Sequence, residues 1–431
     1  MGLLPEKKDA RFNFIVGVMN GSIFGFGTSF LDPTTVLPVF VRHFTHSDTV
    51  VGLASALHRA GWHLPQLFVA GYLERRSYRL PVYQYANLVR MTLIALILPL
   101  LAWYGLSDPG FVLSGFLILF GVASLFGGVA GSAYTDIVGK ALPRSHTGVF
   151  YATRSFIGGL LSILAGVLIK YLLDSESGYV FPSDYVVIFA LGTGMMILGI
   201  VCFCFVREPE GKVSVLPRTF LQVVGGVPQL VRQDRNFGRF LMVQILASGI
   251  GFSLPFYVLL ARETFHVSEG AVGIFLAAQT VGAAIFNIVW GHISLTQGNR
   301  RVVLFAVLGV AVIPTLALVL SSQPHWVMGG PPWLIVGCFS FIFMLMGGTT
   351  SGVFIGFKSY MLDIAPEARR PTYVGITNTV LGVGALYPIF GGVLADLVHL
   401  QGVFFLSAVT VFAGVWLSWG LEAPKVIENE V

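Results

Sequence analysis

Charged residues are scarce in this chain, at 11% of its 431 positions, while hydrophobic residues take 55% and the mean hydropathy is +0.80. A soluble domain of this length has no means of burying so much apolar surface, so a water-soluble fold is excluded. Cysteine is nearly absent. Cys202, Cys204 and Cys338 all sit in apolar stretches, with Cys202 and Cys204 on different faces of one helix, which excludes a disulfide framework and reads as free thiols. No glycine-rich nucleotide-binding loop occurs, so ATP-driven pumping is excluded at the level of motifs, and an enzyme is not expected. No two histidines have metal-ligand spacing with a carboxylate nearby, so neither a metal site nor a cofactor is expected. The lone Asn-x-Ser triplet, at Asn20, lies inside an apolar run and not in a loop open to glycosylation.

What is abundant is long apolar sequence. A spanning helix needs about 20 apolar residues. Twelve such stretches occur, near 12–41, 49–72, 80–104, 110–138, 148–172, 184–206, 237–261, 269–291, 302–321, 333–358, 372–398 and 401–421. Six fall in each half, which predicts an all-α integral membrane protein with twelve transmembrane helices. The first stretch is longer than the core of a cleavable signal and reads as retained. Placing the N-terminus in the cytoplasm puts the loop cations inside and leaves only Arg42, Lys170 and Arg262 outside. Both termini are then cytoplasmic, and the net charge of +5 is a topology signal, not the sign of a nucleic-acid partner. The expectation is a multi-pass monomer in a bacterial-type plasma (inner) membrane, with the lipid bilayer as its solvent.

One loop pattern occurs twice. Ala70-x3-Glu74-Arg75-x-Ser77-x-Arg79 is answered 221 residues later by Gly291-x3-Leu295-Thr296-x-Gly298-x-Arg300-Arg301. The same offset pairs Ser47-Asp48-x-x-Val51-Gly52-Leu53 with Ser268-Glu269-x-x-Val272-Gly273-Ile274. The repeat thus covers a loop, a helix and a second loop, and points to a duplicated membrane transporter.

These residues resemble the major facilitator superfamily, whose loop between the second and third helices runs Gly-x3-Asp-Arg-x-Gly-x-Arg-Arg and recurs, weakened, between the eighth and ninth. Here Ala70 and Ser77 replace the glycines, Glu74 replaces the aspartate, and the second copy has Leu295 at the acidic position. Two further family-like features are Asp136 followed by Pro143-Arg144, and Asp363 followed by Pro366-Glu367-x-Arg369-Arg370. Leu161–Gly166 also aligns with Tyr387–Gly392. The resemblance covers nearly all of the chain. It implies two pseudo-symmetric six-helix bundles, 1–206 and 237–431, rocking about a central cavity and joined by a cytoplasmic linker, 207–236. In that linker Phe220, Val224, Val227 and Val231 recur at helical spacing beside Arg218, Arg232 and Arg235, as in a basic amphipathic stretch, although Gly225, Gly226 and Pro228 interrupt it.

The resemblance makes Ala70, Glu74, Arg75, Ser77, Arg79, Gly291, Gly298, Arg300 and Arg301 a gating motif; the plain alternative is loop anchoring on anionic headgroups. Ionisable residues within the spans cost about 2.5 to 3.5 kcal/mol each at the bilayer centre, so each asks for a partner or a cavity. Asp136 and its counterpart Asp363 lie at cytoplasmic helix ends and read as scaffold or gate charges, with Arg154 as the natural partner of Asp136. Asp32 and Arg59 have no charged counterpart in the second half, where Gln279 and Thr280 match His58 and Arg59. Their depths agree, so Asp32 and Arg59, with His58 beside them, are proton-coupling candidates; the alternative is a static buried pair. Pro33 and Pro38 break the helix next to Asp32. His58 and His63 also read as packing residues, and Arg90 as structural. Lys358 is an anion-binding candidate that has snorkelling as its alternative.

The spacings Gly17-x3-Gly21-x3-Gly25 and Gly127-x3-Gly131 predict close helix contacts. The family's usual cavity helices make Asn20, Phe24, Tyr134, Gln244, Phe256, Phe357 and Lys358 candidate solute contacts, with packing as the alternative for each aromatic. The functional expectation is a secondary active transporter of a small organic solute, coupled to protons. Export of amphipathic compounds is favoured over organic-anion uptake, although the fifth span lacks the Gly-Pro pair of the family's drug and proton antiporters. An uncoupled facilitator, a lipid translocator or a non-transporting receptor on the same frame is the alternative.

Overall fold

The structure is a computed structural model that describes residues 7–73, 75–211, 230–322, 330–366 and 370–422. Glu74, Glu367, Arg369 and residues 212–229, which hold most of the expected linker, lie outside the described residues. Backbone groups in hydrocarbon have no water to bond, so the apolar stretches satisfy them internally as helices. Among the described residues there is no strand.

The first half consists of α1 (Lys8–Ser29), α2 (Val36–Arg42), α3 (Asp48–Leu73), α4 (Leu80–Tyr104), α5 (Pro109–Ala141), α6 (Arg144–Leu172) and α7 (Ser183–Cys204). In the second half α8 (Arg235–Ala247) runs through a 3-10 turn into α9 (Phe256–Leu259) and a π turn, Leu260–Thr264. It is followed by α10 (Ala271–Gln297), α11 (Asn299–Ser321), α12 (Pro332–Ile364), α13 (Arg370–Gly384) and α14 (Tyr387–Ser418). Nine described helical stretches are long and apolar enough to cross a membrane. One of them, Tyr373–Ser418, turns back at Val398 and His399, where the backbone leaves helical geometry, and so makes two crossings. The broken pair α1 and α2, and the more polar α3, complete the expected twelve.

Local chemistry places the ends. Asp108 caps α5 by accepting from the Phe111 amide at 3.0 Å, with Pro109 in the first turn. Asp234 caps α8 in the same way, accepting from the Phe237 amide at 2.9 Å. Gly298, at φ 84°, supplies the left-handed residue that turns α10 into α11, so this glycine of the repeated motif has a backbone duty.

Within the first half α1 packs on α6 and α7, and α5 on α3 and α4; in the second, α12 packs on α10 and α11. The halves meet where α6 crosses α10 and where α3 crosses α13 and α14. Glycines permit both crossings. A Cβ on Gly166 would stand 2.6 Å from the Gly273 carbonyl oxygen, and one on Gly52 would strike the Pro388 carbonyl. Gly166 aligns with Gly392, and Gly52 with Gly273, so aligned glycines serve both crossings, one turn apart in register: Gly273 meets the Gly166 carbonyl and Gly52 that of Pro388. The glycines expected to bring helices together serve differently. Gly17 makes room for the Phe150 ring, Gly21 for Arg154, Gly127 for Arg90 and Gly131 for Trp62, while Gly25 faces open space.

These crossings lie toward one end of the bundle, termed here the far end because it is opposite the chain termini. At the termini end the described polar contacts each stay within one half, as with Arg79 and Asp136, or Asn299 and Asp363.

Candidate functional site

The break in the first span is built from Asp32-Pro33-Thr34-Thr35. Helix α1 stops at Ser29 and α2 begins at Val36, leaving amides that need acceptors. Asp32 Oδ1 accepts from the Thr34 and Thr35 amides, both at 2.9 Å, and from their hydroxyls at 2.6 and 2.9 Å. Ser55 on α3 donates to the Pro33 carbonyl at 2.8 Å. The Thr34 hydroxyl also lies 3.1 Å from Gln279 Oε1, so the break touches the second half at the position that matches His58. Asp32 is half-buried.

The expected Asp32–Arg59 pair is not formed. Arg59 feels the charge of Asp32, yet no ion pair joins them, because threonine donors of the break hold the carboxylate. His58 lies parallel to Phe120 at 5.8 Å, in keeping with a packing histidine. Arg90 is 6% exposed, lies over the Phe24 ring at 5.2 Å and the Trp62 ring at 6.0 Å, and leaves its Nε without an acceptor. The first half thus carries buried guanidinium groups in excess of its intramembrane carboxylates.

Arg154 does not pair with Asp136. It donates to the Tyr134 hydroxyl at 2.9 Å and stacks over that ring at 4.9 Å. Asp136 instead meets Arg79 Nε at 3.1 Å and Lys140 Nζ at 3.3 Å, one turn along its own helix. The sequence reading missed Glu208, which organises this corner. Its carboxylate is 2% exposed, accepts from the Arg79 and Leu80 amides at 2.8 Å each, and receives Lys140 Nζ at 2.5 Å. It therefore caps α4 from the end of α7. Ser77 gives its carbonyl to Arg79 at 3.2 Å and to the Gly211 amide at 2.9 Å, and Arg75 is exposed. Glu74 and the side chain of Ala70 are outside the described set. In the second copy Asn299 donates to Asp363 at 2.8 Å, Arg300 to the Trp419 carbonyl at 3.0 Å and Arg301 to Gln297 at 3.0 Å, while Gly291 faces open space.

The candidate solute contacts separate into two sets. Phe24 and Tyr134 are half-buried, each with a guanidinium over its ring. Asn20, Gln244, Phe256 and Phe357 are buried, Asn20 bonding the Gly199 carbonyl at 2.8 Å and Phe357 packing on Phe240, so these four serve helix packing in this state. Lys358 is exposed and lies over Phe354 at 5.5 Å, the posture of a snorkelling lysine. The three cysteines are free. Among the described residues no cluster of three His, Cys, Asp or Glu could hold a metal ion.

At the far end a polar network spans the halves. Arg42 pairs with Asp48 and with Glu263 of the second half, the latter at 2.6 Å. Glu269 meets His43 at 2.9 Å and Arg262 at 3.0 Å, and accepts from the Tyr185 hydroxyl at 2.6 Å. Burial alone would raise the Glu269 carboxyl, but the bond to His43, the charge of Arg262 and the Tyr185 hydroxyl together hold it below its ordinary value. Asp396 of α14 reaches the start of α3, where it accepts from the Asp48 amide at 2.7 Å, the Thr49 amide at 3.0 Å, the Thr49 hydroxyl at 2.6 Å and the Ser47 hydroxyl at 3.0 Å. The Ser47-Asp48 and Ser268-Glu269 repeat, read from the sequence only as a sign of duplication, falls at this interface; nothing in one sequence assigned Asp396 to it.

Comparison with known proteins follows this geometry. Residues 239–430 match the family model described as Major Facilitator Superfamily. An uncharacterised MFS-type transporter, YfkF, of Bacillus subtilis (strain 168) is 28% identical over 46% of this chain and 50% of its own length. The class H tetracycline resistance protein of Pasteurella multocida is 29% identical over 38% of this chain and 39% of its own length. The chain therefore matches half or less of these relatives' length. Among solved structures, a D-xylose-proton symporter superposes with a TM-score of 0.68 at 15% identity, covering 95% of this chain and 97% of that one, a likeness of fold alone.

Proposed function

We propose that this chain, whose residues 239–430 match the major facilitator superfamily model, is a membrane transporter of that superfamily and not an enzyme, and that it carries a small organic solute by alternating access coupled to protons. The carrying observation is the Asp32 cap. It is an intramembrane carboxylate at a helix break, and its Thr34 partner reaches Gln279 of the other half. The cap sits on Oδ1 alone and is stronger to the carboxylate than to the acid, so cap strength and proton binding on Oδ2 compete. A rocking motion that moves Gln279 away from Thr34 alters that competition, which is how a proton step becomes tied to the access step.

The termini end is read as cytoplasmic from its cation excess, so the state described is inward-facing, with the far end shut. Export of amphipathic compounds is the favoured direction. The half-buried Phe24 and Tyr134 offer aromatic faces to such a solute, and similarity to a tetracycline resistance protein agrees with it. Organic-anion transport is the second reading, favoured by the buried Arg90 whose Nε has no acceptor.

The test is solute-driven proton movement in proteoliposomes, wild type against Asp32→Asn, over aromatic, amphipathic and anionic compounds. The variant is expected to bind solute but move no protons. Equal solute movement without protons in both proteins overturns the coupling and leaves a facilitator or lipid translocator. The compound class that drives flux decides between the two substrate readings.

A further inference from the structure

We propose that Asp396 sets the resting access state, acting as a helix cap that one half of the transporter supplies to the other. Helix caps belong as a rule to the chain just before the helix. Here α3 begins at Asp48, and the acceptor for its first amides comes from α14, over 340 residues away. Both carboxylate oxygens are used: Oδ1 takes the Asp48 amide, and Oδ2 takes the Thr49 amide and both hydroxyls. A negative charge at a helix N-terminus also gains from the helix dipole. Every one of these bonds crosses the boundary between halves, so all of them break when the far end opens.

The duplication shows that the cap is an addition to the frame. In the register that aligns Leu161–Gly166 with Tyr387–Gly392, Asp396 corresponds to Lys170. At the sister crossing the α10 start lies against Lys170, whose side chain has no acceptor to give, and the neighbouring Asp174 accepts from the Glu176 amide instead. One crossing is capped by a carboxylate and its copy is not, although Gly52 and Gly273 each bring their helix into backbone contact with the other half. The other charges near the cap leave Asp396 free for it. Asp48 is neutralised by Arg42, Arg42 also takes Glu263, and Glu269 is held by His43, Arg262 and Tyr185. These groups border a recess of about 370 Å³ lined by Arg42, His46, Asp48, Leu259, Arg262 and Glu263. Asp396 is thus a positioning residue: it touches no solute and biases which end is open.

This inference rests on the alternating-access reading, and its test reads access directly. In full-length protein with Cys202, Cys204 and Cys338 replaced by serine, spin labels at Glu176 and His399 report the far end, and labels at Lys8 and Thr296 the termini end, by pulsed electron resonance in nanodiscs. Asp396→Ala and Asp396→Asn are expected to raise the far-end-open population about tenfold, the effect of roughly one charge-assisted hydrogen bond. Asp396→Glu is expected to restore the wild-type distribution, which a folding defect would not allow. Thr49→Val, which removes one of the four donors, is expected to move the distribution part of the way. Distances in Asp396→Asn and Asp396→Ala that match wild type overturn the proposal, as does a failure of Asp396→Glu to restore them. Proton flux, the readout for Asp32, is measured separately, so loss of coupling leaves the access result standing.

Discussion

Adding one methyl group at the α6–α10 crossing, by Gly166→Ala, is expected to open the far end. The new Cβ would stand 2.6 Å from the Gly273 carbonyl oxygen, 3.1 Å from the Ala277 Cβ and 3.2 Å from the Ala277 amide nitrogen. Ordinary contact begins near 3.4 Å, so the helices must separate by most of an ångström, and the obstacle is backbone, which has no rotamer to swing away. Overpacking of this kind costs about 1–3 kcal/mol. Alanine also gains about 1 kcal/mol over glycine in helix propensity, but that gain is the same whichever end is open and cancels in the access equilibrium. The closed state alone carries the clash, so the open population should rise about five- to 150-fold, with little change in overall stability. Gly128→Ala is the control. Its Cβ would meet the Gly61 and Trp62 carbonyls at the same 2.6 Å, yet all three residues belong to the first half, so the strain persists in both access states. That variant should lower the melting temperature and leave access unchanged. The assay is thiol labelling of single cysteines at far-end positions in a serine-substituted background. Unchanged far-end labelling in folded Gly166→Ala, or equal effects of both variants, would refute the reasoning.

Two other outcomes test the polar network. Glu208→Ala leaves the Arg79 and Leu80 amides and much of the Lys140 charge without an acceptor in a site where the carboxylate is 2% exposed, so it should cost about 3–5 kcal/mol, read as thermal unfolding in detergent; an unchanged midpoint would show the cap to be dispensable. Glu269 titrates below its ordinary value, so its contribution to far-end closure is complete above the ordinary carboxylate range and is lost as pH falls through the lowered folded value. Far-end opening should then increase in wild type as pH falls below the ordinary carboxylate range, and much less in Glu269→Gln, as read by the same spin-label distances.

The spans were legible because a bilayer imposes length and apolarity on each one; the stretch expected at 80–104 is the helix Leu80–Tyr104. The repeat was legible for a related reason, since Gly52 and Gly273 serve the same crossing in each half. Side-chain partners were not. Asp136 was matched with Arg154 on charge and depth alone, but the depth of a residue says nothing about the azimuth at which it faces, and Arg154 turns to Tyr134. Asp32 was matched with Arg59 by the same reasoning, which overlooked donors two and three residues along in its own Asp-Pro-Thr-Thr segment. The glycine spacings of the first and fourth spans suggested backbone approach, and the structure uses four of those glycines to seat the large side chains of Phe150, Arg154, Arg90 and Trp62.

What departs from the duplication follows a spatial order. The backbone contacts obey the pseudo-symmetry, with Gly52 facing Gly392 and Gly273 facing Gly166, and two such crossings suffice to make a hinge. Of the charged departures within the membrane, Arg59 and Arg90 fall in the first half, with Thr280 and Ala311 of the second half as their neutral matches, and Lys358 falls in the second. The departure at the far end, Asp396 against Lys170, falls in the second half. Both crossings lie at the far end, so the repeat that relates the halves closes that end at two places and says nothing of how firmly it stays closed. At the far end the carboxylate of Asp396 adds four hydrogen bonds to that closure, at one crossing and not at its copy. Chemistry and bias are thereby carried by different residues on different halves. A change at Asp396 should shift when the cavity opens without altering what Asp32 binds, whereas a change at Asp32 should alter coupling through Thr34 and Gln279 while the far-end crossings remain intact.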